Sequence, residues 1–193
     1  MRSSSRLLSV FALAASAFLV TAPTAARAAA APEPAPEHFV GHLINTMASA
    51  RFTRPFILEI DRYASAADAQ RLTGVLAARG RLGLRDDLWK SNAGYLSVGG
   101  GLGYPIAAAF VEDTPAGRTI RVFLDRPLGF FETQYYFRSY RYPFTVIELT
   151  VDKDGNGEGR FILAANLRSR GADTLEVESL GAMPFRLLHV RAS

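Results

Sequence analysis

The chain has 193 residues, with 22 Lys and Arg against 18 Asp and Glu and no cysteine. The absence of thiols excludes a disulfide framework, a cysteine nucleophile and a lipidated cysteine anchor. The positive excess sits at the N-terminus. A cut after Ala28 removes Arg2, Arg6 and Arg27 and no acid, which leaves 19 against 18 and excludes a global electrostatic attraction to nucleic acid.

Residues 1–28 read as a signal peptide of bacterial type. Arg2 and Arg6 form a charged start, Leu7 to Val20 is an uncharged, mostly apolar run, Pro23 breaks it, and Ala26-Arg27-Ala28 is a small-x-small cleavage signal. That run is shorter than the roughly 20 residues of a membrane helix, and no comparable run follows. The expected product is exported, periplasmic or secreted, with no integral membrane span once the signal is removed. Residues 29–37 are Pro/Ala-rich and read as a disordered linker. Residues 38–193 are long enough for a single domain around one core.

From there the dominant period is two. His38 to Met47 has weak alternation, and Phe56, Leu58 and Ile60 alternate with Ile57, Glu59 and Asp61. The chain then turns helical. Ser65 is an N-cap with Asp68 three residues on, Ala69, Leu72, Val75 and Leu76 share a face, and Gly80 ends the run. A second short helix is expected from Leu84 to Lys90, with Leu84, Leu88 and Trp89 inward. Thr114-Pro115-Ala116-Gly117 joins two strands as a hairpin. The sets Ile120/Val122/Leu124, Ile147/Leu149/Val151, Phe161/Leu163/Ala165/Leu167 and Leu175/Val177 each predict a strand with one face on the core, and Phe185–Val190 a further strand. The fold class is therefore mainly β: one antiparallel β-sandwich or barrel of about seven to nine strands, with a helical hairpin excursion near 65–90. Short strands and the outward Glu59, Asp61, Arg121, Asp125 and Glu148 argue against an outer-membrane barrel.

Several stretches are candidates for chemistry. DKDGNGEG, from Asp152 to Gly159, opens like a calcium loop. Its oxygens on Asp152, Asp154, Asn156 and Glu158 offer a site for Ca²⁺. Position 12 of such a loop, however, is Leu163 rather than the closing Glu, and a polar hairpin loop explains the same residues. His38 and His42 lie four apart, with no third ligand near them in sequence. GGGLGYP (99–105) fails the dinucleotide pattern in both registers. Its Gly100 and Gly101 would still let a ligand approach the backbone closely. No G-x-S-x-G elbow occurs. Asp125, Glu132 and Glu148 are carboxylates available for a hydrolase of envelope polymers, though nothing in their spacing selects a pair.

FFETQYYFRSYRYPF (130–144) holds eight aromatic residues with Arg138 and Arg141 among them. Tyr135, Tyr136 and Tyr140 with the two Arg form a ledge suited to an unknown ligand or an envelope protein. Alternatively Phe130, Phe131, Phe137 and Phe144 fill the core while the Tyr cover an edge.

The strings GYPIAAA (103–109), RTIRVFLDRPLGFFE (118–132), RSYRYPFTVIELTVD (138–152) and GEGRF (157–161) resemble a group of uncharacterised exported bacterial β-rich proteins. That resemblance implies a single exported β-rich domain and assigns no catalytic residue. The expected function is an exported, non-catalytic module that binds a ligand or protein. The rival readings are a small barrel carrying an apolar ligand and a carboxylate-dependent hydrolase.

Overall fold

The computed structural model describes residues 35–45, 52–128, 142–171, 174–179 and 185–193. The expected signal peptide, most of the linker, and residues 130–141 of the aromatic run lie outside the described residues.

In chain order the elements are β1 (Glu37–Asn45), β2 (Phe52–Ile60), α1 (Ala66–Leu88), β3 (Gly94–Val98), β4 (Tyr104–Ile106), β5 (Ala108–Thr114), β6 (Gly117–Leu124), β7 (Phe144–Asp152), β8 (Asn156–Arg170), β9 (Thr174–Ser179) and β10 (Phe185–Ala192). Every pairing is antiparallel. The strands form one sheet in the order β4-β3-β2-β1-β10-β8-β7-β6-β5, and β9 pairs with β8 off this path. The two ends of the path, β4 and β5, are separated in the chain by Ala107 alone. They act as two halves of one bent stave, and the sheet nearly closes into a barrel of eight staves. Main-chain hydrogen bonds support the seam: Ala93 N–H to the Ile106 carbonyl at 2.7 Å, Ala107 N–H to Phe123 at 2.9 Å, and Ala64 N–H to Ala109 at 2.7 Å.

Two cores result. The inside of the barrel holds Phe39, Leu43, Phe56, Leu58, Leu96, Ile120, Ile147, Leu149, Phe161 and Leu187, all buried. The second core lies outside the barrel wall. There Leu72, Leu76, Leu84 and Leu88 of α1 cover Ala108, Phe123, Phe144, Val146 and Ile162. Each such large side chain contributes about 1.5–3 kcal/mol when fully buried. This second layer corrects the expectation of one buried face per strand. Phe123 and Val146 are as buried as their inward neighbours because α1 lies over them.

The helix follows its sequence signals. The Ser65 hydroxyl accepts the Asp68 N–H at 3.1 Å, and the Asp68 carboxylate accepts the Ser65 N–H at 2.9 Å, closing a capping box. At Gly80, φ 65° and ψ −169° break the helix into two pieces, as the sequence predicts. Trp89 departs from expectation. It is 65% exposed, with the Arg126 guanidinium 4.4 Å over its ring.

Strand β8 also departs from simple alternation. A register shift against β7, between Phe144 and Val146, marks a bulge. Phe161 and Leu163 pack into the barrel, but past the bulge Ala165 and Leu167 pack into the helix-side core. One extra residue exchanges the faces of a strand, so the period-two reading through Leu167 crosses from one core to the other.

Candidate functional site: the mouth and outer walls of the barrel

Glu37 opens β1 and Arg118 lies near the start of β6. Both share the parity of inward residues, Phe39 on β1 and Ile120 on β6. Three staves separate β1 from β6 in either direction around the ring, so the two side chains come from opposite walls. They meet in a bidentate ion pair, Nη1 to Oε1 at 2.7 Å and Nη2 to Oε2 at 2.7 Å. The Tyr63 hydroxyl donates to Glu37 Oε2 at 3.1 Å, and the Arg118 guanidinium stands 5.7 Å over the Phe39 ring. Burial, then the adjacent Glu37 charge, push the Tyr63 phenol well above its usual range, against an opposing effect of Arg118. The hydrogen bond to Glu37 holds the Arg118 guanidinium above its ordinary value, against its partial burial. Glu37 was expected to be the last linker residue; it is instead the first residue of the barrel wall.

The described residues give the barrel's outer surface three parts. Helix α1 covers one. The second carries a ladder of charge across β6, β7, β8 and β10. Arg121, Glu148, Arg160 and Arg186 stand opposite one another in register. Arg121 pairs with Glu148 at 3.4 Å, Arg160 pairs with Glu148, and Arg186 pairs with Glu158 at 3.0 Å. A shallow hollow of about 400 Å³ lies among them, with Thr119, Thr150 and Gly159 also in its lining. These charged outward positions are the reverse of a lipid-facing band.

The third part is the wall of β3, β2, β1 and β10, none of whose described residues belongs to the core under α1. Val40 and Ile57 are register partners here, and Ser97 follows beside Ile57. Ile57 is 50% exposed, Tyr95 47% and Leu102 96%. The Tyr95 ring occupies the space a side chain at Gly103 would need. The Ser97 hydroxyl donates to the Gly101 carbonyl at 3.0 Å, and the Gly99 N–H to Pro55 at 2.8 Å. Gly100 and Gly101 therefore form the turn between β3 and β4, beside the exposed Leu102, at the edge of this wall. His42 and His189 lie on the same wall with ring centroids 6.3 Å apart.

The other sequence-derived candidates fall as follows. Tyr135, Tyr136, Arg138, Tyr140 and Arg141, and Glu132 with them, lie outside the described residues. Phe144, at the end of that run, is buried under α1. In the 152–159 loop, Asp152 Oδ1 accepts the N–H groups of Asp154 at 2.9 Å and Asn156 at 2.8 Å, folding the turn itself. Glu158 faces Arg186. Among the described residues no group of three or more His, Asp or Glu gathers to hold a metal ion. Asp125 is 4% exposed, its Oδ2 has no partner among the described residues, and its Oδ1 lies 3.3 Å from Arg126 Nε. It follows the last residue of β6, four positions on from Arg121, the partner of Glu148, so the two positions stand roughly 13 Å apart along the strand direction. Sequence reasoning missed the Glu37–Arg118–Tyr63 cluster. Its one signal was parity: a charge standing two residues before Phe39 and another two before Ile120.

Among the described residues no helix is long and apolar enough to cross a membrane. No protein-family model matches the chain, and comparisons with curated proteins and with solved structures gave no match.

Proposed function

We propose that this protein is an exported, non-catalytic binding module that recognises a partner of the cell envelope through the outside of its barrel. The observation that carries this reading is the contrast between the two sides of one wall. Inside, β1 to β3 present Phe39, Phe56, Leu58 and Leu96, fully packed beneath a mouth crossed by Glu37 and Arg118. Outside, the same strands present Val40, Ile57 and Tyr95 to solvent, and the turn after β3 presents Leu102. Exposed apolar side chains standing among polar groups on one face suit protein recognition. The filled interior favours this reading over carriage of an apolar ligand, and the separation of Asp125 from Glu148 favours it over a carboxylate-pair hydrolase.

Photo-crosslinking in the native envelope tests the proposal. A crosslinking residue at Ile57, Tyr95 or Leu102 should trap one discrete partner, while the same residue at Leu82 on the helix side should not. The variant Ile57→Ser/Leu102→Ser should lose the adduct without a lower melting temperature. Equal crosslinking at Leu82, or a displaceable lipid in native mass spectra of the purified chain, overturns it.

A further inference from the structure

We propose that His42 and His189 form a two-imidazole site for a divalent transition-metal ion of the zinc or copper type. The two residues are remote in sequence, one on β1 and one on β10. The fold brings their rings to 6.3 Å, centroid to centroid, at an interplanar angle of 84°, and both side chains are exposed on the wall that α1 leaves open.

Irregular backbone creates this meeting. The β1–β10 register shifts between Val40 and His42, and the β10–β8 register shifts between Leu187 and Val190. Leu187 and Val190 both pack into the barrel, so the two residues between them are both turned away from it. A regular strand fits only one residue between two inward neighbours. The bulge adds the second and swings His189 towards His42. His189 has φ 53°, the one positive φ among described non-glycine residues. This conformation is uncommon for a non-glycine residue, though less so for His than for most, and here it is held at the position that aims a ligating side chain.

The donor set selects the ion. Neutral imidazole suits zinc, copper and nickel, whereas calcium and magnesium take oxygen ligands. With metal–nitrogen bonds of about 2.0–2.1 Å, two imidazoles sharing one ion at a tetrahedral angle have centroids roughly 5 Å apart. Rotation of two exposed side chains supplies the remaining closure. No third His, Asp or Glu joins them among the described residues, so water fills the other positions.

Isothermal titration of the untagged chain with Zn²⁺, and separately with Cu²⁺, decides the matter. One ion per chain should bind, with the ring proton resonances of both His shifting together. His42→Ala should abolish saturable binding. So should His189→Asn, which tolerates the left-handed backbone and keeps the bulge. His38→Ala should bind as the parent does, and this separates the cross-strand pair from a His38–His42 pair along β1. Matching thermal melts establish that the variants are folded. No saturable uptake by the parent, unchanged uptake in His42→Ala or His189→Asn, or loss in His38→Ala overturns the proposal.

Discussion

Glu37 and Arg118 join opposite walls of the barrel, meeting at 2.7 Å through both guanidinium nitrogens above the ring of Phe39. The pair is about a quarter exposed on each side, so it is neither a free surface bridge nor a fully desolvated one. Removing one partner leaves the other half-buried at the mouth. Arg118→Ala and Glu37→Ala should each cost about 1–3 kcal/mol. In a domain of this size each kcal/mol lowers the melting temperature by about 2–4 °C. The double variant should cost clearly less than the sum of the singles, as a double-mutant cycle by urea unfolding will report. A chain begun at residue 38 should behave like Glu37→Ala, and one begun at residue 35 like the parent.

The same cluster sets an alkaline limit. Burial, followed by the Glu37 charge, raises the Tyr63 phenol above its ordinary value of 10.0. A group whose folded pKa is raised contributes stability that is complete below its unfolded value and lost as pH rises beyond it. Melting temperature should therefore fall above pH 10 more steeply in the parent than in Tyr63→Phe. Ultraviolet titration should show one tyrosine ionising only on unfolding. Parallel alkaline limbs in the two proteins would refute this.

Much of the fold was legible because local chemistry and tertiary demand agree. The Ser65–Asp68 cap, the break at Gly80 and the Thr114–Gly117 hairpin are local events, and the structure places each where its residues predict. The inward sets on β2, β6 and β7 were likewise readable from a period of two. Long-range consequences were not. Nothing near Ala165 announces the bulge that turns it towards α1, and nothing near Phe123 announces a helix over it. Closure through Ala107 depends on β3 and β6 lying on either side of one bent strand, a relation between segments far apart in the chain. The candidate site followed the same division. The Gly100–Gly101 turn could be located in sequence, whereas the Glu37–Arg118 and His42–His189 meetings required the barrel.

The helix cap gives an acidic counterpart to Tyr63. Hydrogen bonds from the Ser65 backbone and then its side chain hold the Asp68 carboxyl below its ordinary value of 3.8. A depressed folded pKa contributes stability that is present above the unfolded value and lost as pH falls through the folded one. Asp68 is largely solvated, so the effect is modest. Ser65→Ala should cost about 1 kcal/mol at neutral pH. Asp68→Asn should narrow the gap in stability between pH 6 and pH 3, measured by urea unfolding at both values. An unchanged gap would show that other carboxylates govern the acid limb.

Two glycine substitutions should move stability in opposite directions. Gly157 and Gly159 lie on β8 where it pairs with β7 on one side and β10 on the other. A Cβ at Gly157 would stand 2.1 Å from the Thr150 carbonyl oxygen, and one at Gly159 2.3 Å from that of Glu148. Backbone on the neighbouring strand cannot step aside as a flexible side chain can, so β7 and β8 would have to separate along the barrel wall. Gly157→Ala should cost roughly 3–5 kcal/mol or prevent folding. Gly74 is an exposed helical residue of α1, and a Cβ there meets nothing within 4 Å. Gly74→Ala should stabilise by about 0.5–1 kcal/mol, because the unfolded chain loses freedom while the helix gains a better former. Thermal melts followed by circular dichroism separate the two outcomes. A tolerated Gly157→Ala would mean that β8 does not approach β7 as closely as the barrel requires.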